Sequence, residues 1–246
     1  MKLPKIDLPT YDFVVPSSGK KIKYRPFLVK EQKILLMAME SNDEKDSIRA
    51  IRQIISNCIV DEKFDVQELS SFDIEYFFVK LRMTSVGEKV KLSFRCKNTI
   101  EENKECNHLM EFEYDLNEVI VEKNPQHNKT IFFTKDVGVV MKYPGFELTE
   151  YLIENVKSEK SSTEKALDMI VSCIDYFFDK DNVYYTKEMT KKDIIDYIEN
   201  VPKASFDQIE TFFDTFPKIK SIINHKCEKC NYDHVIPVEG MTNFFV

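Results

Sequence analysis

Glycine is scarce in this sequence. The five present are Gly19, Gly87, Gly138, Gly145 and Gly240, and no two stand at the spacing of G-x-G-x-x-G or G-x-x-x-x-G-K-[ST]. Dinucleotide and P-loop sites use those glycines to bring backbone close to phosphate, so both are excluded in their standard form. Tryptophan is absent. The longest uninterrupted apolar run, Ile34 to Met39, has six residues, far fewer than a membrane-spanning helix requires. The opening MKLPKIDLPT lacks the apolar stretch of a secretory leader. A reducing cytosol is therefore the expected setting, and the six cysteines are expected as thiols or metal ligands rather than disulfides.

What is present is ample material for a core. The 246 residues are 43% apolar and include 19 Phe and 11 Tyr, which excludes a disordered chain. A chain of this length buries roughly 70–75% of its extended surface and needs no staples to fold. The net charge of −7 is uneven. Residues 1–33 carry eight basic and three acidic side chains, a net of +5, which leaves −12 for the remainder. A basic arm on an acidic body suits an acidic partner, nucleic acid or the body itself, with a solvated arm as the plain alternative. The acidic body repels phosphate backbones and disfavours a general nucleic-acid role.

Residues 1–28 read as that arm. Pro4, Pro9 and Pro16 break helix, and Ser17-Ser18-Gly19 is a turn between short strands Phe13–Val15 and Ile22–Tyr24. Helical spacing follows through 29–87, over Val29 to Met39, residues 45–60 (Ile48, Ile51, Ile55, Cys58, Ile59) and Ser71 to Thr84. Gly87 ends the last of these and is expected at positive φ. Residues 88–143 turn to strand: Val90, Leu92 and Phe94 alternate with polar residues, as do Met110, Phe112 and Tyr114, and Val137 to Tyr143 is a third strand. Residues 144–217 are read as helices over Glu147–Val156, Glu164–Phe178, Lys191–Asn200 and Phe206–Phe216. The capping pairs there are Thr190/Asp193 and Ser205/Gln208. Residues 218–246 return to strand. The expected class is α+β: a helix-rich body, a short N-terminal hairpin and a zinc-ribbon-like pair of β-hairpins within one compact domain, the ribbon formed by 88–116 with 220–240.

The chemical signal lies in Cys96, Cys106, Cys227 and Cys230. Cys227-Glu-Lys-Cys230 is a C-x2-C knuckle, a turn from which two thiolates reach one Zn²⁺. The two halves resemble each other. With Cys106 aligned on Cys230, Asn107 falls on Asn231, and with Cys96 on Cys227, Leu92 falls on Ile223. Each half reads as strand, cysteine turn, strand, the first turn being a knuckle expanded by seven residues. Together they would hold one structural Zn²⁺ per chain, with every coordination position filled by protein. The alternative is a set of unrelated thiols. His108 or His225 is a substitute ligand in a variant site, His127 reads as loop, and Cys58 and Cys173 sit on apolar helix faces as core.

Other chemistry finds little footing. Asp179-Lys-Asp181-Asn182 lacks the glycine and oxygen ligands of a calcium loop and reads as a turn. Carboxylate pairs such as Glu111 and Glu113 read as a solvated strand face, and no nucleophile–base pair stands out. No enzyme is expected. The C-terminal Met241-Thr-Asn-Phe-Phe-Val246 is largely apolar, and Phe244, Phe245 and Val246 are expected to dock a partner or fold back as core.

Three stretches resemble the baseplate hub proteins of contractile-tailed bacteriophages of the T-even type. They are Leu8-Pro-Thr-Tyr with Tyr24-Arg-Pro-Phe-Leu-Val-Lys-Glu-Gln-Lys-Ile-Leu-Leu-Met-Ala-Met-Glu40, Leu81-Arg-Met-Thr-Ser-Val-Gly87 leading into Phe94-Arg-Cys96, and Cys106-Asn-His with Tyr114-Asp-Leu116. The resemblance implies a structural or assembly protein of the tail baseplate hub. Its partners would be other hub and tail proteins, with no membrane or direct nucleic-acid contact, and a homo-oligomer is compatible. It would act in the host cytoplasm during assembly or in the virion. The rival readings are a zinc-ribbon adaptor for nucleic acid or a nucleic-acid enzyme complex, and a zinc enzyme.

Overall fold

Two short strands, Tyr11–Val14 (β1) and Lys21–Tyr24 (β2), pair antiparallel with Phe13 opposite Ile22. Gly19 closes the intervening turn at φ +71°, which glycine adopts without steric cost. The computed structural model describes residues 4, 6–41, 43–101, 104–154 and 161–237. Three helices follow: Val29–Ser41 (α1), Glu44–Cys58 (α2) and Ser71–Ser85 (α3). Their apolar stripes bury Ile51, Ile54, Ile55, Cys58, Phe77 and Leu81 against Phe13, Ile22 and Tyr24. Buried polar groups fix the register. The Asp73 carboxylate at the start of α3 accepts from the Ser70 and Ser17 amides at 2.9 Å each, tying the hairpin turn to the helix. Glu31 pairs with Arg25 at 3.0 Å and accepts from the Leu28 amide at 2.9 Å.

Gly87 joins α3 to the next strand at φ +134°, the positive value expected of it. Arg82, the basic residue of the last turn, donates to its carbonyl at 2.5 Å. The strands Lys89–Arg95 (β3), Thr99–Glu101 (β4), Lys104–Glu105 (β5) and Leu109–Asp115 (β6) then form one long hairpin, β3 with β6, carrying a small one, β4 with β5. Ile120–Glu122 (β7) completes this stretch.

Thr130–Phe132 (β8), Gly138–Met141 (β9), Ile174–Phe178 (β10) and Val183–Tyr185 (β11) form an antiparallel sheet in the order β11-β10-β9-β8. Its helices are Phe146–Glu154 (α4), Ser162–Ser172 (α5), Lys191–Glu199 (α6) and Lys203–Thr215 (α7). Ile131, Val139, Met141, Ile174 and Phe177 point from one sheet face into a second core with Ile170, Ile194, Ile198, Ile209 and Phe212. The chain continues through Lys218–Lys220 (β12), Ile222–Lys226 (β13) and Asp233–Pro237 (β14); β12 pairs with β7 and β13 with β14.

Two expectations are corrected. Glu164–Phe178 is not one helix: α5 stops at Ser172, Cys173 caps it at φ −95°, ψ 3°, and Ile174–Phe178 is an inner strand. Ile170, Val171, Ile174, Phe177 and Phe178 fit a helical period, but pairing to strands on both sides prevails. Nor does a Ser205/Gln208 pair start the last helix. It begins at Lys203, with Pro202 at the N-cap and no side-chain cap, and Ser205 is buried in the first turn. The Thr190/Asp193 box is present. Asp179–Asn182 is a turn: the Asp179 carboxylate accepts from the Asp181 and Asn182 amides at 2.8 Å each and from the Tyr184 hydroxyl at 2.7 Å. Val156, and the tail residues Phe244, Phe245 and Val246, lie outside the described residues.

Candidate metal centre

The site is built from two hairpins whose apolar faces meet. In β3 and β6, Val90, Leu92 and Phe94 stand opposite Tyr114, Phe112 and Met110, so all six share a face. In β13 and β14, Ile223 and His225 stand opposite Ile236 and His234. Phe112 stacks on His225 at 4.9 Å and Phe94 meets His234 edge-on at 5.7 Å. At the base, Ser221 and Tyr114 share a buried hydroxyl hydrogen bond of 2.7 Å. There the β7–β12 pairing joins segments about a hundred residues apart.

At the other end each hairpin closes in a cysteine turn, and the two turns share a pair of backbone hydrogen bonds. The Asn107 amide donates to the Cys96 carbonyl at 2.9 Å, and the Asn231 amide to the Cys227 carbonyl at 2.9 Å. The Cys96 amide donates to the His108 carbonyl at 2.8 Å, and the Cys227 amide to that of Tyr232 at 2.9 Å. Asn107 and Asn231 both take positive φ, +52° and +57°, and are the only described non-glycine residues to do so. Asparagine is among the few side chains that tolerate this conformation. Within the insertion in the first turn, Thr99 stands opposite Glu105 and Glu101 opposite Lys104, and the Cys106 amide closes the loop onto the Asn98 carbonyl at 2.8 Å. The knuckle beneath is therefore undisturbed.

These turns bring Cys96, Cys106, Cys227 and Cys230 together, with all four sulfurs within 4.8 Å of one another. Cys96 Sγ lies 3.6 Å from Cys230 Sγ, and Cys106 Sγ 3.8 Å from Cys227 Sγ. A disulfide requires about 2.05 Å. Four thiolates at about 2.3 Å around one tetrahedral ion stand about 3.8 Å apart, so this donor set fits a single metal ion. Three of the four are buried and Cys230 is half-buried. Burial pushes the Cys96 thiol up to about 12 and raises Cys106. Burial acts the same way at Cys230, but hydrogen bonds from the Tyr232 amide, the Asn98 side chain and the neighbouring thiols outweigh it and hold that thiol down to about 6.

The other candidates stay apart. Cys58 and Cys173 are fully buried in the two separate cores, and burial pushes both up to about 12. His108 contributes its carbonyl, and His225 packs on Phe112. His127 is a loop residue whose ring lies against Tyr143 and Phe212, with Nδ1 3.0 Å from Thr215 Oγ1 and Nε2 buried without a partner. Sequence reasoning passed over Asn98 and His234, which touch Cys230 and Cys96. Asn98 stands two residues after a cysteine, but His234 comes near Cys96 only through the docking of the hairpins.

A family model described as T4 bacteriophage base plate protein matches residues 8–246. No curated protein and no solved structure matches the chain.

Proposed function

The chain belongs to the T4 bacteriophage base plate protein family, and from that premise we propose that it is a structural or assembly protein of the baseplate hub, working by contact with other tail proteins. As a base plate protein it has its place in the virion tail; assembly in the host cytoplasm is part of the proposal. The outer face of the four-stranded sheet is the observation that carries contact over chemistry. Two registers run across it, Phe132–Gly138–Phe178–Val183 and Thr130–Val140–Tyr176–Tyr185. None of these eight positions is charged, in a chain that is 31% charged. Phe132, Val183 and Tyr185 are 51%, 50% and 43% exposed. An antiparallel sheet ordinarily turns polar residues to water, and apolar patches that remain uncovered mark interaction sites. The apolar tail Phe244-Phe245-Val246 and the basic N-terminal arm are proposed as further contacts.

The four cysteines are proposed to hold one structural Zn²⁺, which makes the paired hairpins, 88–116 with 220–240, a zinc ribbon within one compact domain. Four protein sulfurs leave no coordination position for substrate, which supports a non-enzymatic role. A nucleic-acid adaptor remains the second reading, since ribbons occur in such proteins; the net charge of −7 opposes it.

The test is complementation of a phage lacking this gene. Val183→Glu with Tyr185→Glu should leave melting unchanged and stop baseplate assembly before the hub is complete. Normal hubs and infectious tails in the absence of the protein would overturn the assignment.

A further inference from the structure

Side chains cross the interface between the two hairpins in both directions. His234, on the second hairpin, places Nε2 3.1 Å from Cys96 Sγ on the first. Asn98, in the first turn, donates from Nδ2 to Cys230 Sγ of the second at 3.5 Å. The sulfurs so reached are themselves the 3.6 Å pair. We infer that His234 and Asn98 are a crossed pair of positioning residues that set the two knuckles face to face and hold the Cys96 and Cys230 thiolates for the metal; this rests on the zinc reading above.

The physical case has three parts. First, backbone pairing joins the hairpins at their base but does not set the two cysteine turns against each other. The amides of Asn98, His108 and Tyr232 each serve the sulfur two residues before them, so they shape each turn but cannot join the two. Between the two turns, among the described residues, the crossings are made by side chains. Lys229 adds a third crossing, from Nζ to the Cys106 carbonyl at 3.2 Å, but it touches no sulfur. Second, four thiolates around a divalent cation carry a net charge of −2. In a chain already at −7, N–H donors to sulfur spread that charge, as outer partners of metal ligands generally do. Third, the His234 ring is itself held, edge-on to Phe94 at 5.7 Å and to Tyr232 at 4.8 Å, so its Nε2 is delivered by packing.

A purely packing role for His234 is the rival, and His234→Phe separates the two because it keeps a ring and removes the donor. The full chain is loaded with Co²⁺ in place of zinc, and the thiolate-to-cobalt charge-transfer band and the rate of metal transfer to a chelator are read. The expected result is a shifted band in His234→Phe, metal loss faster by about 10- to 100-fold, and partial recovery of both in His234→Gln. Asn98→Leu reports independently at Cys230 and leaves His234 in place, so it serves if the His234 variant does not fold; it should shift the band the same way by less. An unchanged band and unchanged transfer rate in both variants overturn the inference and leave the zinc reading intact. Wild-type protein that takes up no cobalt overturns both.

Discussion

The helical body and the cysteine hairpins solve the same problem, enclosing a core, with different materials. In the body, Phe13, Ile22, Ile51, Ile55, Phe77 and Leu81 interlock and are nearly inaccessible to water; burial of each such side chain contributes about 1.5–3 kcal/mol. At the tip of the hairpins the buried cluster is Cys96, Cys106, Cys227 and Met110, flanked by Phe94 and Cys230. That cluster holds a single large apolar side chain, Met110, among its buried members, against the many that interlock in the body. The base of the hairpins has apolar packing of its own, with Val90, Tyr114, Leu116, Val119 and Ile223 buried together; under the proposed zinc reading, the tip is the part that an ion at the centre of its sulfurs would hold.

The largest effect should come from emptying that centre. If the proposed ion is there, Cys227→Ser or a strong chelator should unfold β13, β14 and the first cysteine turn while the helices remain, since binding of a structural metal is linked to local folding. Amide exchange read residue by residue should show the hairpin amides exposed and those of α2 and α3 protected. Simultaneous loss of both regions would mean that they form one cooperative unit. Next is the body itself. Phe77→Ala should cost about 3–5 kcal/mol by denaturant unfolding, with the same penalty in metal-free protein. A penalty that vanished without metal would break the separation.

Gly87 lies at the seam between the regions. A Cβ there meets nothing within 4 Å, so Gly87→Val should cost about 1 kcal/mol or more through backbone strain alone. Gly87→Ala should cost nearly as much, and a neutral Gly87→Ala would show that the seam adjusts. The smallest effect concerns pH and the third region, the sheet with its helices. Burial, and then the nearby Lys129 charge, lower the pKa of His127 from 6.5. The unfolded chain then binds the proton more readily than the folded one, so stability is complete above about 6.5 and falls as pH drops below it. Melting temperature should decline between pH 7 and 5.5, and less so in His127→Phe. Glu31, whose pKa is also lowered, acts only at more acid pH, near the carboxylate range.

The site was more legible than the scaffold that assembles it. Aligning Cys106-Asn107 with Cys230-Asn231 needs only the sequence, and the matching φ values of the two asparagines follow from it. The alternation of β3 and β6 was equally plain, because one face of each is buried. The β7–β12 pairing left no local trace: three residues at 120 meet three at 218 because the hairpins beside them dock. The aromatic run of β10 was misread for a related reason. Its spacing satisfies two periods, and only its neighbours decide between them. His234 lies four residues beyond Cys230, and its approach to Cys96 across the interface has no signature in spacing.

Whether one ion joins two turns that lie some 120 residues apart is decided most directly by metal content. Elemental analysis of the full chain, purified without chelator, should find one zinc per chain, with Cys96, Cys106, Cys227 and Cys230 slow to react with a thiol reagent until a chelator is added. Folded protein containing no metal, with those four thiols reacting at once, would contradict the account.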